Sequence, residues 1–369
     1  MSSLIARMGI RFRFAPRRAP SRIRPARKCA RTALATGGIA IALATAGLVA
    51  FVETAKPEWR DPEFGYRVRQ IEQWKAESPR RPLVIVIGSS RAQMGISPTA
   101  MGLPDGPTDP LIYNFGYRGA QPVWAWLNFM RLLDRGIKPR FVLVHIALAE
   151  CGISSPAERQ FTSWGGRLSS NDVVRLHPYT EDKLRFPARW TGTRLAAWSQ
   201  FAECIRDDLV PDWQPWHVRR TYSWRFMDRH GFVPHDPEGL SEAWREERLR
   251  RAMQVHARSM SGRAVSAITR RSHRDLVERC RKEGIVVAFA WTPESPRYRD
   301  AYGRKGPESV AEYTGFLTGE LQSEVFPAPE HLAETDFSDG YHLLSHGAVK
   351  YSRWLADTHL GGWLARHAP

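Results

Sequence analysis

With 369 residues the chain can bury a substantial core and fits one elaborated α/β domain, which excludes a peptide-sized module. A formal charge of +16 and a pI near 10.2 invite a nucleic-acid reading, yet ten of the basic residues fall within Met1–Arg31, a stretch without an acid. The remainder has the charge balance of an ordinary soluble domain, so no nucleic-acid partner is expected.

Residues 1–31 read as a basic arm. Thr32 to Val52, TALATGGIAIALATAGLVAFV, follows with 21 residues and no charge, long enough to span a bilayer as a helix. The basic flank before it and Glu53 after it put the arm in the cytoplasm and everything beyond Lys56 outside. The expectation is a single-pass signal-anchor, residues 32–52, holding an extracytoplasmic domain at the membrane. A second reading stays open: Ala44-Thr45-Ala46 resembles a small-residue cleavage site, which would make the protein secreted. Residues 53–81 are polar, carry Trp59 and Trp74, and read as a connector with a short helix around Tyr66 to Glu77 that leads into the domain rather than joining its core.

The domain, residues 82–369, opens on Leu83-Val84-Ile85-Val86-Ile87, a β-branched run without polar alternation, as expected of a parallel strand covered on both faces. It ends in Gly88-Ser89-Ser90-Arg91, which puts two serines at the carboxyl end of the strand, where open α/β sheets place ligands. Pro104 to Pro110 is loop. Leu111 to Phe115 is a short strand, Pro122 to Arg135 a helix with Trp126, Phe129, Leu132 and Leu133 at helical spacing, and Phe141 to Ile146 the next buried strand. The pattern resumes with a helix over His273 to Lys282, capped by Gly284, and a strand over Ile285 to Trp291. Gly347 to Leu360 closes the chain as an amphipathic helix with Val349, Trp354, Leu355 and Leu360 inward. Strands alternating with helices predict βαβ units and a parallel sheet. Between about 151 and 271 no strong strand is visible. This stretch holds Trp164, Trp190, Trp198, Trp213, Trp216, Trp224, Trp244 and a charged helix from Leu240 to Met253, and reads as a mostly helical insertion at the carboxyl edge, a lid or substrate wall.

Outside the arm, Cys151, Cys204 and Cys280 lack metal-ligand or redox spacing. They allow one disulfide with a thiol left over, or three buried thiols. No GxxxxGK, GxGxxG or HExxH occurs, and neither a metal nor a cofactor is expected. His346, four residues after His342, belongs to the start of the last helix, and His145 within its strand to the core.

A serine nucleophile needs a base, a group to orient that base, and donors for the oxyanion. Asp339-Gly340-Tyr341-His342 offers the base and its orienting carboxylate three residues apart. Together with the serine junction and their order along the chain, these residues resemble the SGNH or GDSL-type hydrolase superfamily. GSS at Gly88–Ser90 is similar to that family's GDS block, with Ser90 as nucleophile and Ser89 replacing the aspartate. Asn114-Phe115-Gly116-Tyr117-Arg118-Gly119 resembles its second block, Pro139 to Val144 the lead-in to its third, and Asp339 to His342 its DxxH. The resemblance implies a three-layer α/β/α flavodoxin-like core, a Ser90–His342–Asp339 triad and an oxyanion hole from the amides of Ser90 and Gly119. It departs from the family where the third block carries an asparagine: here stands Ala149, which has no side-chain donor. Arg91 or Asn114 is expected to compensate, with Arg91, Asn114 and Glu294 bordering the substrate. Ser89 is the alternative nucleophile. An anchor followed by GSSR is similar to the branch of the superfamily that modifies polysaccharides and teichoic acids. That implies an acylated carbohydrate or polymer as substrate and a multispanning membrane acyltransferase as partner, with esterase and O-acyltransferase both open. The missing asparagine motivates the other expectation, a catalytically inactive binding protein for polysaccharide or a membrane partner.

Overall fold

The computed structural model describes residues 23–152, 165–213, 223–260 and 265–368, and the chain divides into two units, Met1–Ala50 and Phe51–Pro369. Most of the helix Ile23–Thr54 lies in the first. Its stretch Arg27–Thr54 is long and apolar enough to cross a membrane. Residues 1–22 of the basic arm, and Trp164 and Trp216 of the insertion, lie outside the described residues.

The second unit is an α/β domain on a five-stranded, wholly parallel sheet. Its strands are β1 (Leu83–Ile87), β2 (Leu111–Asn114), β3 (Phe141–Ile146), β4 (Val286–Trp291) and β5 (Glu324–Phe326), in the spatial order β2-β1-β3-β4-β5. Val84 pairs with Ile112 on one side and Phe141 on the other, and Phe141 with Val286. Alternate residues of each inner strand enter two apolar clusters. Leu83, Ile85, Ile87, Val142 and Val144 face helices Pro62–Glu77, Pro122–Asp134 and Ala267–Glu283, and Val84, Val86, Phe141 and Leu143 face helix Ser345–Leu355 and the following turns to Trp363. Because both faces are covered, β1 carries an apolar residue at every position and reads as an unbroken aliphatic run.

The strand order sets the site. From β1 the chain moves outward to β2 and then crosses back to β3, so the loops leaving β1 and β3 diverge and open a crevice at the carboxyl edge. Four of the strands are those the sequence predicts. β5, only Glu324-Val325-Phe326, has no such signal, since three residues are too few for a period to show.

Two expectations need correction. The segment Pro62–Glu77 is not a lead-in. Asp61 caps it by accepting from the Phe64 N–H (3.3 Å), Pro62 fits the first turn where no N–H is needed, and Phe64, Val68, Ile71 and Trp74 are buried in the main core. In the last helix the inward residues are Ala348, Tyr351, Ser352 and Leu355, with Leu360 beyond, whereas Val349 and Trp354 are only half-buried. Cys151, Cys204 and Cys280 are all unpaired. Among the described residues of 151–271 no strand occurs; helices Ser170–Leu176, Arg185–Leu195, Ala197–Leu209 and Glu242–Met260 account for most of it.

Candidate active site

At the end of β1, Gly88 turns the chain so tightly that a Cβ there would lie 3.0 Å from both Ala92 Cβ and the His145 carbonyl oxygen. Ser89 then caps the short helix Ser90–Gly95, its hydroxyl accepting from the Arg91 N–H at 3.2 Å. Ser89 is buried and held in that cap, while Ser90 is half-buried and turned toward the crevice. This separates the two candidate serines.

Opposite stands a tight hairpin over residues 336–344. The Ser338 N–H donates to the His342 carbonyl (2.9 Å), Phe337 bridges Leu343, and Gly340 adopts φ +90°, a conformation that strains any residue with a Cβ. The Gly340 carbonyl accepts from the Ser295 N–H at 2.8 Å, which ties the hairpin to the loop after β4. So held, His342 places Nε2 2.8 Å from Ser90 Oγ and Nδ1 2.8 Å from Asp339 Oδ2. Asp339 Oδ1 also accepts the His342 N–H (2.9 Å) and the Tyr341 N–H (3.3 Å). Burial by itself pushes the Asp339 carboxyl up, but His342 and these donors outweigh it and hold the group below the usual carboxylate range. With Nδ1–H donated to the carboxylate, Nε2 is the acceptor for the serine hydroxyl. The arrangement can deprotonate Ser90 and hold the resulting imidazolium.

The second sequence block is stitched to the first. The Tyr117 N–H donates to the Gly88 carbonyl at 2.9 Å, and Gly116 lies so close to the Ser90–Gly95 helix that a Cβ would come within 2.4 Å of the Gln93 nitrogen. Gly119, exposed and at φ +76°, follows two residues after Tyr117 in the same loop.

The three expected substrate residues all have protein partners. Asn114 is fully buried; its amide donates to the carbonyls of Ala92 (2.7 Å) and Ile96 (2.6 Å), and its oxygen accepts the Gly116 N–H (2.9 Å). It is a brace between the two blocks, with no donor left for a ligand, because a buried amide satisfies itself on the nearest backbone groups. Arg91 is equally buried. Its guanidinium pairs with Glu294, donates to Tyr298 OH (3.3 Å) and Thr292 Oγ1 (3.4 Å), lies 3.5 Å from Glu150, and stacks 4.6 Å over the Tyr341 ring. Burial opposes its charge, but Glu294, Tyr298 and Glu150 together raise its pKa well above the usual arginine value. Glu294, the third, is in that ion pair and accepts from Tyr302 OH at 3.0 Å, so each of the three is engaged by protein partners.

The geometry adds residues that the sequence reading does not single out. Ala149 is fully buried beyond β3, and its neighbour Glu150 retains 17% side-chain exposure. From the insertion come His235, whose ring is 5.8 Å from that of His342, and His256, which bonds Tyr298 OH and lies 5.1 Å from the Tyr341 ring. Burial, reinforced by neighbouring cations, lowers both to about 4, so they are neutral imidazoles at pH 7. Their spacing in sequence carries no signal; only the folded insertion brings them to Asp339 and His342. Among the described residues no group of three or more His, Cys, Asp or Glu could hold a metal, and His346 sits in helix Ser345–Leu355, paired to Asp336 at 3.2 Å. His145 bonds Tyr351 OH at 3.0 Å within the core. In comparisons with known proteins, no family model and no curated protein matches the chain.

Proposed function

We propose that this chain is a membrane-anchored, extracytoplasmic serine acyl-ester enzyme of the SGNH hydrolase-like type, acting on acylated carbohydrate or cell-envelope polymer as an esterase or O-acyltransferase. One observation carries the reading: the Asp339–His342–Ser90 relay, with both side-chain contacts at 2.8 Å, at the carboxyl edge of a parallel sheet. Three residues from opposite ends of a long chain meet there with the spacing and order of acyl transfer. The strand order 2-1-3-4-5, the flavodoxin-like one, supports the same superfamily. The apolar helix Arg27–Thr54 with its basic flank supports an anchor, and with it a multispanning acyltransferase as partner.

In this mechanism His342 Nε2 takes the Ser90 proton as Oγ attacks the acyl carbon. The amides of Ser90 and Gly119 hold the oxyanion, the ester C–O bond breaks, and the alcohol leaves with the proton from His342. Water or a sugar hydroxyl then gives its proton to His342 and attacks the acyl-serine, and as the ester bond to Oγ breaks His342 returns that proton to Ser90. Treatment with a fluorophosphonate probe tests this: the wild type becomes labelled at Ser90, Ser90→Ala does not, and His342→Ala labels slower by about a thousandfold or more. Equal labelling of wild type and Ser90→Ala, or none in either, sinks the proposal.

A second reading, a catalytically inactive binding protein using the same cleft, is favoured by Ala149. Loss of one oxyanion donor costs about a hundredfold to a thousandfold in rate, and the Asn114 amide is spent on the Ala92 and Ile96 carbonyls. Polysaccharide binding that survives a Ser90→Ala/His342→Ala double substitution, with no acyl release by the wild type, would select it.

A further inference from the structure

We propose that helix Ala197–Leu209 and the turn after it form a second membrane contact, lying on the leaflet where the anchor emerges and turning the carboxyl edge of the sheet, with its serine crevice, toward the bilayer. The inference rests on the anchor reading above and adds a surface to it.

The position follows from where the chain enters the domain. The apolar span ends at Val52 and Glu53 is the first charge after it, which keeps residues 53–59 close to the membrane–water boundary. The insertion is fastened there twice. Arg194, near the end of helix Arg185–Leu195, pairs with Glu53 at 3.0 Å. Asp208, near the end of helix Ala197–Leu209, accepts from the Trp59 indole at 2.8 Å and lies 3.8 Å from Lys56. The same entry lies at the carboxyl edge of the sheet. Helix Pro62–Glu77 leads into the amino end of β1 and runs against it, so its own start is at the opposite edge. Asp61, just before that helix, accepts from Tyr117 OH at 2.6 Å, and the Tyr117 N–H donates to the Gly88 carbonyl in the serine turn at 2.9 Å.

The surface follows from helical spacing. Ala197 and Phe201 form the buried side of helix Ala197–Leu209. The neighbouring stripe, Trp198, Ala202, Ile205 and Leu209, keeps helical spacing, is apolar at every position, and is exposed or half-buried throughout. Leu195 precedes it with 77% exposure, Leu209 ends it with 64%, and Trp213 in the following turn has 78%. Single exposed apolar side chains are common on a soluble domain, whereas a run of them along one helix marks a contact surface. Its carboxylates do not oppose a lipid: Asp207 pairs with Arg225, and Asp208 is held by Trp59 and Lys56. Arg185 and Arg206, both exposed, offer cations to lipid phosphates, and an indole such as that of Trp213 is suited to the boundary between headgroups and acyl chains. The bilayer is the occupant because the anchor brings it to this face of the domain.

The test uses the full chain reconstituted in vesicles of phosphatidylcholine and phosphatidylglycerol. In a Cys29→Ser/Cys204→Ala background, whose remaining Cys151 and Cys280 are fully buried, Leu209→Cys, Trp213→Cys or Lys282→Cys carries a nitroxide. Lys282 is the exposed reference, near the end of the helix that leads into β4 and so at the amino edge of the sheet. Power saturation of the spin signal is compared between oxygen, which concentrates in lipid, and a water-soluble nickel complex. Labels at positions 209 and 213 respond more to oxygen, and the label at 282 responds more to nickel. Labels at 209 and 213 that behave as the one at 282 overturn the contact. Should the cysteine background fail to fold, the wild type decides, through quenching of its tryptophan emission by phospholipids brominated in their acyl chains. The span 32–52 holds no tryptophan, so quenching reports on the domain, and Trp213→Phe loses part of it. Equal quenching of wild type and Trp213→Phe, or none in either, overturns the contact. A chain that sodium carbonate strips from the vesicles removes the anchor reading, and this inference with it.

Discussion

At the scale of single residues, the polar groups nearest Ser90 divide into those that hold the backbone and those that remain available to react. Asn114 belongs to the first kind, with two carbonyls and one amide of the site loops on its side chain. Asn114→Ala takes its partner from the buried Ile96 carbonyl and from the Gly116 N–H, and should lower unfolding free energy by roughly 2–4 kcal/mol. Chemical denaturation measures it; an Asn114→Ala protein of wild-type stability and raised KM would return Asn114 to the substrate side. The same residues mark how far sequence alone reaches. DGYH and GSSR name the triad because their chemistry is local: a carboxylate three residues from an imidazole, a serine after a strand. The partners of Asn114 and Arg91, among them Ala92, Ile96, Tyr298 and Thr292, come from other parts of the chain and become visible only in the fold.

At the scale of elements, helix Pro62–Glu77 does more than cover the sheet. Arg67, with no exposed surface, donates to the Asn114 carbonyl at 2.8 Å and to Glu63 at 3.0 Å, and stacks on Phe115 and Tyr117. Glu63 also accepts from Gln93 in the serine helix (3.0 Å), and Asp61 from Tyr117 OH (2.6 Å) and Arg131 (3.0 Å). One helix therefore grips both loops of the site through buried charges. Arg67→Ala takes the closer of two cations from buried Glu63, leaving Arg167 at 3.5 Å, and should cost about 3 kcal/mol. An Arg67→Met/Glu63→Gln pair should recover part of that, as a double-mutant cycle on denaturation midpoints would reveal. Additive losses would mean that the two residues do not act as a pair. The helix itself was legible as a helix, but its polar sequence hid its place in the core: Phe64, Val68, Ile71 and Trp74 form the buried stripe, with Arg67 buried alongside. The long strands were plain because each is aliphatic on both faces; β5 was not, being three residues long.

At the scale of the whole molecule, the domain stores several imidazoles in the neutral form. His145 and His273 are fully enclosed, against Tyr351 and Tyr313, and burial brings each to about 3. Their folded values lie below the unfolded value near 6.5, so the unfolded chain binds more protons between those limits. Stability is therefore complete above about pH 6.5 and falls as pH drops toward 3. Urea midpoints at pH 7.5, 6 and 4.5 should decline in that order, before most carboxylates titrate. Equal midpoints at pH 7.5 and 4.5 would contradict the buried neutral state.

Ser90 and His342 are 252 residues apart in the chain. A polypeptide made from its N-terminus at about 5–20 residues per second presents the serine on the order of tens of seconds before its base exists. During that interval β1 can already have β2 and β3 beside it, while the hairpin that carries Asp339 and His342 waits on β4 and β5. On the proposed mechanism, the nascent domain holds a serine with no base through most of its synthesis, and reactivity follows only once residues 339–342 are made.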